Sequence, residues 1–204
     1  MKQCLMLAAG LSSRMGRWKM QLPWGDGTVL DGALDHALAF CDRVVLVTGF
    51  RGEALRQRYA GQPNITLCHN PNYERGMFSS LQRGIRLLAD GHFFVIPGDM
   101  PAVSPGVYAA LWQQRGSRCL IPTIDGGCGH PVLLPPAMRE QIRNANPQAN
   151  LRQLIVGYGR ETVDVTCASI HWDLDTPQQY AALRQRLLYQ AWQFAHREDG
   201  EYPE

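Results

Sequence analysis

Leu7-Ala8-Ala9-Gly10-Leu11-Ser12-Ser13-Arg14-Met15-Gly16-Arg17-Trp18-Lys19 decides how this chain is read. It follows a short apolar run, Cys4 to Leu7, that reads as a buried first strand. Small residues crowd the loop beside Arg14 and Lys19. They let a backbone approach a ligand closely, and successive free N–H groups can surround phosphate oxygens. Arg14 and Lys19 supply the positive charge that a polyphosphate needs. No Gly-Lys-Ser/Thr closes the loop, so it is not a Walker A sequence, and it is not GxGxxG either. Spacing alone leaves two readings open: a nucleotide-binding turn after a first strand, or a tight strand-to-helix connection with a solvated Arg and Lys.

Around this loop lie 204 residues, enough for one sizeable core. The 20 basic and 18 acidic side chains are scattered, which speaks against a nucleic-acid surface but not against a local anion pocket. No apolar run approaches the roughly 20 residues that span a bilayer, and the Cys4–Leu11 stretch reads as a strand rather than a signal segment. The six cysteines form no CxxC pair and have no zinc-spaced His partner, so a reduced, cytoplasmic protein is expected, with Cys128 exposed in a Gly-rich loop.

Apolar strand-like runs alternate with helical patterns through the first half, the signature of βαβ units and a parallel sheet. The spacing predicts strands over Gln3–Ala8, Arg43–Thr48, Ile65–His69, His92–Ile96 and Cys119–Pro122. It predicts helices over Val29–Phe40, Glu53–Tyr59, Ser79–Leu88 and Pro105–Arg115, the last capped by Ser104. From Thr123 the rhythm breaks into a Gly-rich turn, a strand-like His130–Leu134, a polar Asn144–Asn150 and a helix near Leu151, read as an insertion or lid over the open face. Ile170–Leu174 reads as a returning strand, Pro177–Tyr189 as a helix capped by Thr176, and His196–Glu204 as a frayed tail. We expect one domain over residues 1–190, its nucleotide-binding half ending near 122 and its acceptor-side half near 190, with 191–204 a helix end and tail.

Four further segments carry candidate chemistry. Asp99, in Ile96-Pro97-Gly98-Asp99-Met100-Pro101, ends an apolar strand where α/β ligands bind, and suits magnesium, though capping the turn explains it equally. Strand alternation would put Asp173 and Asp175 on one face, one for metal and the other capping the next helix. Ser79, in Asn70–Ser80, would cap a helix. His130 follows a flexible Gly126–Gly129 turn, where an acceptor-facing role competes with that of an ordinary satisfied histidine. Lys2, His69, His171 and His196 give no signal, and Arg17, Arg75 and Arg83 read as solvated.

The loop AAGLSSRMG followed by Lys19 resembles that of the molybdenum cofactor cytidylyltransferase family, within the wider group that activates sugar phosphates and isoprenoid precursors. Pro97–Pro101, Trp172–Pro177, Asn70–Ser80 and Gly126–Leu134 are similar to its further motifs in the same order, so the resemblance runs from about Leu5 to about Leu183. It implies an α/β fold of the nucleotide-diphospho-sugar transferase type: a Rossmann-like, mostly parallel sheet with helices on both faces and a small acceptor-side insertion. It implies nucleotide binding by Leu7, Ala8, Ala9, Gly10, Ser12, Ser13, Gly76 and Ser80, and catalysis by Arg14, Lys19 and Asp99. Magnesium would sit among Asp99, Asp173 and Asp175, with Asp173 assigned as ligand and Asp175 as structural. Gly129 and His130 would meet the acceptor. Ala8-Ala9 before Gly10, where guanylyl relatives carry Gly at the second place, implies CTP. The implied acceptor is a molybdenum-loaded pterin phosphate, and the implied protein partner a molybdenum hydroxylase or its maturation factor. Another phosphorylated acceptor, such as a sugar phosphate, and a non-catalytic cofactor-binding protein are the alternatives.

Overall fold

A computed structural model describes residues 1–195, so the expected tail over 196–204 lies outside the described residues. In chain order the elements are β1 (Gln3–Ala8), β2 (Pro23–Trp24), β3 (Gly27–Thr28), α1 (Val29–Leu38), β4 (Arg43–Thr48), α2 (Gly52–Tyr59), β5 (Ile65–His69) and α3 (Met77–Gly84). They continue with β6 (Phe93–Pro97), α4 (Pro105–Gln113), β7 (Cys119–Ile124), β8 (Gly127–Cys128), β9 (Val132–Leu134), α5 (Met138–Asn144), α6 (Leu151–Tyr158), β10 (Arg160–Asp164) and α7 (Pro177–Ala195).

The main sheet runs β10-β7-β9-β6-β1-β4-β5, with β8 paired to β7. β1 is central, with Cys4 opposite both Val44 and Phe94 in parallel register. β9 alone in this row runs against its neighbours, inserted between β6 and β7. Alternation along β1 explains its unbroken apolar sequence. Cys4, Met6 and Ala8 face one core with Leu30, Leu34 and Tyr108, from α1 and α4. Leu5 and Leu7 face a second core with Phe78 and Leu81 of α3 and Ile142 of α5. A parallel sheet covered on both faces needs such strands.

Helix starts follow local chemistry. Thr28 and Asp31 form a reciprocal capping box on α1, Ser104 caps α4 ahead of Pro105, and Thr176 exchanges bonds with Gln179 at the start of α7. A third cluster, with Met15, Leu22, Trp24, Val29 and Leu174, receives Leu183 of α7, and Tyr180 Oη donates to Pro23 O at 2.6 Å. The last long helix thus backs the Gly-rich loop.

Four expectations need correction. Ile170–Leu174 forms no strand: Ala168–His171 is a 3-10 turn and the rest is irregular. Its Ile170 and Leu174 are buried as a strand's would be, but the adjacent sheet edge is taken by β10. That strand is missing from the sequence reading because only Val163 of its five residues is buried, which leaves no periodic signal. α3 begins at Met77 with Gly76 as its cap, at φ +98°, a conformation that favours glycine. Ser79 is no cap: its hydroxyl bonds the carbonyls of Gly76 and Asn72. Finally, part of the acceptor-side insertion is no lid, since β9 lies within the sheet itself.

Candidate active site

The loops following β1 and β6 leave the carboxyl edge of the sheet side by side, where Gly98 N donates to Leu7 O at 2.8 Å. A Cβ on Gly98 would stand 3.1–3.3 Å from Leu30, Ala8 and the Leu7 carbonyl, so glycine there serves the close approach of these two loops. The irregular segment before α7 crosses the same edge, pinned where Leu174 N donates to Asp99 O at 3.2 Å and His130 N to Ile170 O at 3.0 Å. Between these loops opens a cavity of about 830 Å³. Leu7, Ala9, Gly10, Ser13, Arg14, Lys19, Gly76, Ser80, Asp99, Gly129, His130, Asp173 and Asp175 all line it. Of the other two candidates, Ala8 is fully buried in β1, and Ser12 holds the loop from within.

Ser12 adopts a left-handed conformation (φ 57°) and accepts from Lys19 N at 3.2 Å, which folds the loop back on itself. The Ala9 carbonyl accepts from Phe50 N. The N–H groups of Gly10, Leu11 and Ser12 donate to no group among the described residues and are open to an anion.

Lys19 Nζ pairs with Asp99, and donates to Asp175 Oδ1 at 3.1 Å. Arg14 reaches Asp175 Oδ2 at 2.7 Å while its side chain stays 72% exposed and free to swing. Burial pulls the Lys19 ammonium down, but Asp99 and Asp175 outweigh it and raise the amine above its ordinary value. Burial likewise pushes Asp175 up, and Lys19 and Arg14 bring it below the usual carboxylate range. Asp173 goes the other way. Burial, then the charges of Asp175 and Asp99, raise it.

That asymmetry bears on a divalent cation. Asp99 and Asp175 have cationic partners in Lys19 and Arg14, whereas Asp173 faces two carboxylates and is short of positive charge. No cage of three ligands is preformed among the described residues. Magnesium commonly binds through one or two carboxylates with substrate phosphates completing its shell, and the donor set fits that mode. Strand alternation does not bring Asp173 and Asp175 together, since no strand forms there; the pinned crossing segment does. Asp175 is also no helix cap, as Thr176 fills that place.

Ser80 is buried and accepts from Asn70 Nδ2 at 2.9 Å, leaving its hydroxyl proton to donate. His130 is neutral in character: burial lowers its pKa, only partly offset by Asp99, and its Nδ1 is buried with no hydrogen-bond partner. Sequence reasoning passed over Tyr73, Glu74 and His171, which also line this cavity; His171 Nε2 lies 3.1 Å from Gly127 O. Nothing in their spacing marks them, because they arrive from turns without periodicity. Cys128 is exposed, and no cysteine among the described residues is disulfide-bonded.

Residues 4–163 match the family model described as the MobA-like NTP transferase domain. The chain is 40% identical over 184 residues to the molybdenum cofactor cytidylyltransferase of Escherichia coli, covering 90% of this chain and 95% of that one. A nucleotidyl transferase from Methanothermobacter thermautotroptrophicus superposes with a TM-score of 0.80 at 22% identity, over 93% of this chain and 99% of that one. The 4-diphosphocytidyl-2C-methyl-D-erythritol synthase of Anaerococcus prevotii gives 0.72 at 15% identity, over 92% and 98%. The two structural likenesses speak for the fold.

Proposed function

Since the chain belongs to the family of MobA-like NTP transferase domains and is a nucleotidyltransferase, we propose that it transfers CMP from CTP to molybdenum-loaded pterin phosphate, with release of pyrophosphate. The observation that carries this reading is the juxtaposition, in one cavity, of the free N–H groups of Gly10 to Ser12, the cations Arg14 and Lys19, and the carboxylates Asp99 and Asp173. Attack by an acceptor phosphate oxygen on the α-phosphorus needs alignment and charge neutralisation more than covalent help from the protein.

The free N–H groups hold the triphosphate. Lys19 and Arg14 turn from Asp99 and Asp175 to the phosphates and stabilise the charge that grows on them during transfer. Asp99 and Asp173 would hold magnesium, which would supply Lewis-acid charge to the reacting phosphate. Asp175 steers Lys19 and Arg14, a positioning task that fits its two ion pairs. His130, kept neutral, offers the acceptor a hydrogen bond rather than a charge. Gly76 and Ser80 meet the pyrimidine, where a fitted pocket crowds a purine. The E. coli relative carries the cytidylyl name, and Ala9 stands where guanylyl relatives carry glycine. A reducing compartment, the cytoplasm, suits six unbridged cysteines, and a molybdenum hydroxylase or its maturation factor is the partner that receives the product. No helix among the described residues is long and apolar enough to cross a membrane.

Pyrophosphate release tests this, measured with CTP, GTP, ATP and UTP, each supplied with molybdenum-loaded pterin phosphate or a sugar phosphate. We expect CTP to lead GTP by roughly a hundredfold in kcat/KM. GTP as the faster nucleotide would overturn the cytidylyl assignment, and preference for the sugar phosphate would overturn the acceptor.

A further inference from the structure

Cytosine and uracil are nearly the same size, so a pocket that merely crowds a purine accepts both. They differ at one edge, where cytosine carries a 4-amino donor and uracil a 4-carbonyl acceptor. A site that takes CTP alone therefore needs a hydrogen-bond acceptor set against that position. The wall of the catalytic cavity that carries Gly76 and Ser80 also carries Glu74. Glu74 is exposed, and its carboxylate makes no ion pair or hydrogen bond among the described residues. The other carboxylates of the cavity are committed. Asp99 and Asp175 pair with Lys19 and Arg14, and Asp173 belongs to the metal in the reading above.

Glu74 and Ser80 sit in one hydrogen-bonded unit. Asn70 Nδ2 donates to Ser79 Oγ at 3.0 Å and to Ser80 Oγ at 2.9 Å, while Asn70 Oδ1 accepts from Asn72 N at 3.0 Å. Ser79 Oγ in turn lies 2.8 Å from Gly76 O and 3.1 Å from Asn72 O. These bonds fold the Tyr73–Arg75 turn against the start of α3. The same turn abuts the Gly-rich loop: a Cβ on Gly49 would stand 2.5 Å from Tyr73 Cβ and 2.9 Å from Ala9 Cβ. Ala9 directly precedes the open N–H groups of Gly10 to Ser12. A nucleotide with its phosphates on those groups, directed toward Lys19 and Asp99, leaves the side of the Tyr73–Gly76 turn for its base.

We propose that Glu74 reads the base, its carboxylate accepting from the 4-amino group of cytosine while the Ser80 hydroxyl donates to the ring, so that the site takes CTP and rejects UTP. The inference rests on the cytidylyl reading above and deepens it. Uracil would set a carbonyl oxygen against the carboxylate, leaving two acceptors facing each other with no proton between them.

Glu74→Ala and Glu74→Gln test it by calorimetric binding, with magnesium, of CTP, UTP and the triphosphate of the pyrimidin-2-one riboside, which lacks the 4-amino group. Turnover of CTP and UTP with the acceptor gives the same ratio as kcat/KM. The side chain is exposed and unpartnered, so melting temperatures should match wild type. We expect wild type to bind CTP roughly a hundredfold tighter than UTP. Glu74→Ala should weaken CTP about tenfold or more, leave UTP as it was or tighter, and no longer tell CTP from the pyrimidin-2-one nucleotide. Glu74→Gln, whose amide presents either an acceptor or a donor, should bring CTP and UTP within about fivefold of each other. A CTP-to-UTP ratio in both variants within about twofold of wild type would overturn the inference, giving the 4-amino group to a main-chain carbonyl and leaving the cytidylyl reading standing. GTP as the tightest nucleotide in wild type would overturn that reading, and the inference with it.

Discussion

A Cβ added at Gly10 would meet nothing within 4 Å, and its backbone is not left-handed, so the fold itself makes no demand for glycine there. The proposed function gives that space to the nucleotide. Gly10→Ala should keep or slightly raise stability, by up to about 1 kcal/mol through the unfolded chain, and weaken CTP binding at least tenfold. Gly98→Ala should do the opposite, lowering stability because Leu30, Ala8 and the Leu7 carbonyl already crowd that position. Urea denaturation with calorimetric CTP titration separates the two; a Gly10→Ala variant with wild-type affinity would show that the loop does not cradle phosphate. Lys19→Gln should slow turnover by about a hundredfold or more, while metal binding without nucleotide, read by manganese resonance, should tighten as Asp99 loses its partner. Unchanged manganese affinity would remove Asp99 from the metal site.

At the scale of elements, two anchors hold the site in place. Asp31 closes the capping box of α1 and also accepts from Arg58 and from Tyr59 Oη at 2.8 Å, joining α1 to α2. Burial pushes its carboxyl up, but the bonds from Arg58, Thr28 and Tyr59 prevail and hold it at about 2. A carboxyl depressed in the folded state adds stability above the unfolded value near 4 that fades as pH falls toward 2. With Arg58 partly in solvent, the discounted contribution is about 1 kcal/mol. Asp31→Asn should therefore lower the melting temperature at pH 7 and lose most of that difference near pH 2; a gap that persists in acid would mean that packing, not charge, is lost. The second anchor is α7. Leu183→Ala should cost about 2–3 kcal/mol and weaken CTP binding as well, because its cluster includes Met15 of the Gly-rich loop and Leu174 between Asp173 and Asp175. Lost stability with unchanged affinity would reduce α7 to scaffolding.

Across the whole molecule, what the sequence made legible was whatever repeats or runs apolar. β1, β4 and β5 appear in the sequence with their full bounds: β1 and β4, buried on both faces, leave continuous Val, Leu and Met runs, and β5, at the edge and only half-buried, is still marked by the short run Ile65 to Cys68. β10 was illegible for the contrary reason, and the crossing segment before α7 mimicked a strand through the alternate burial of Ile170 and Leu174. The candidate site was legible wherever a motif carried it, down to Arg14, Lys19, Asp99 and the Asp173–Asp175 pair. The ion pairs that tie Lys19 and Arg14 to the carboxylates join residues far apart in the chain, Lys19 and Asp175 by 156 positions, that no local spacing connects. One measurement bears on the whole arrangement: the fate of the α-phosphorus. With CTP labelled at that atom, magnesium and molybdenum-loaded pterin phosphate, we expect the label to move to the acceptor as a cytosine dinucleotide, one pyrophosphate released per product and none held covalently on the protein. Asp99→Asn should remove the transfer while the protein stays folded. Label recovered as free CMP, on the protein, or in intact CTP bound without turnover would contradict it.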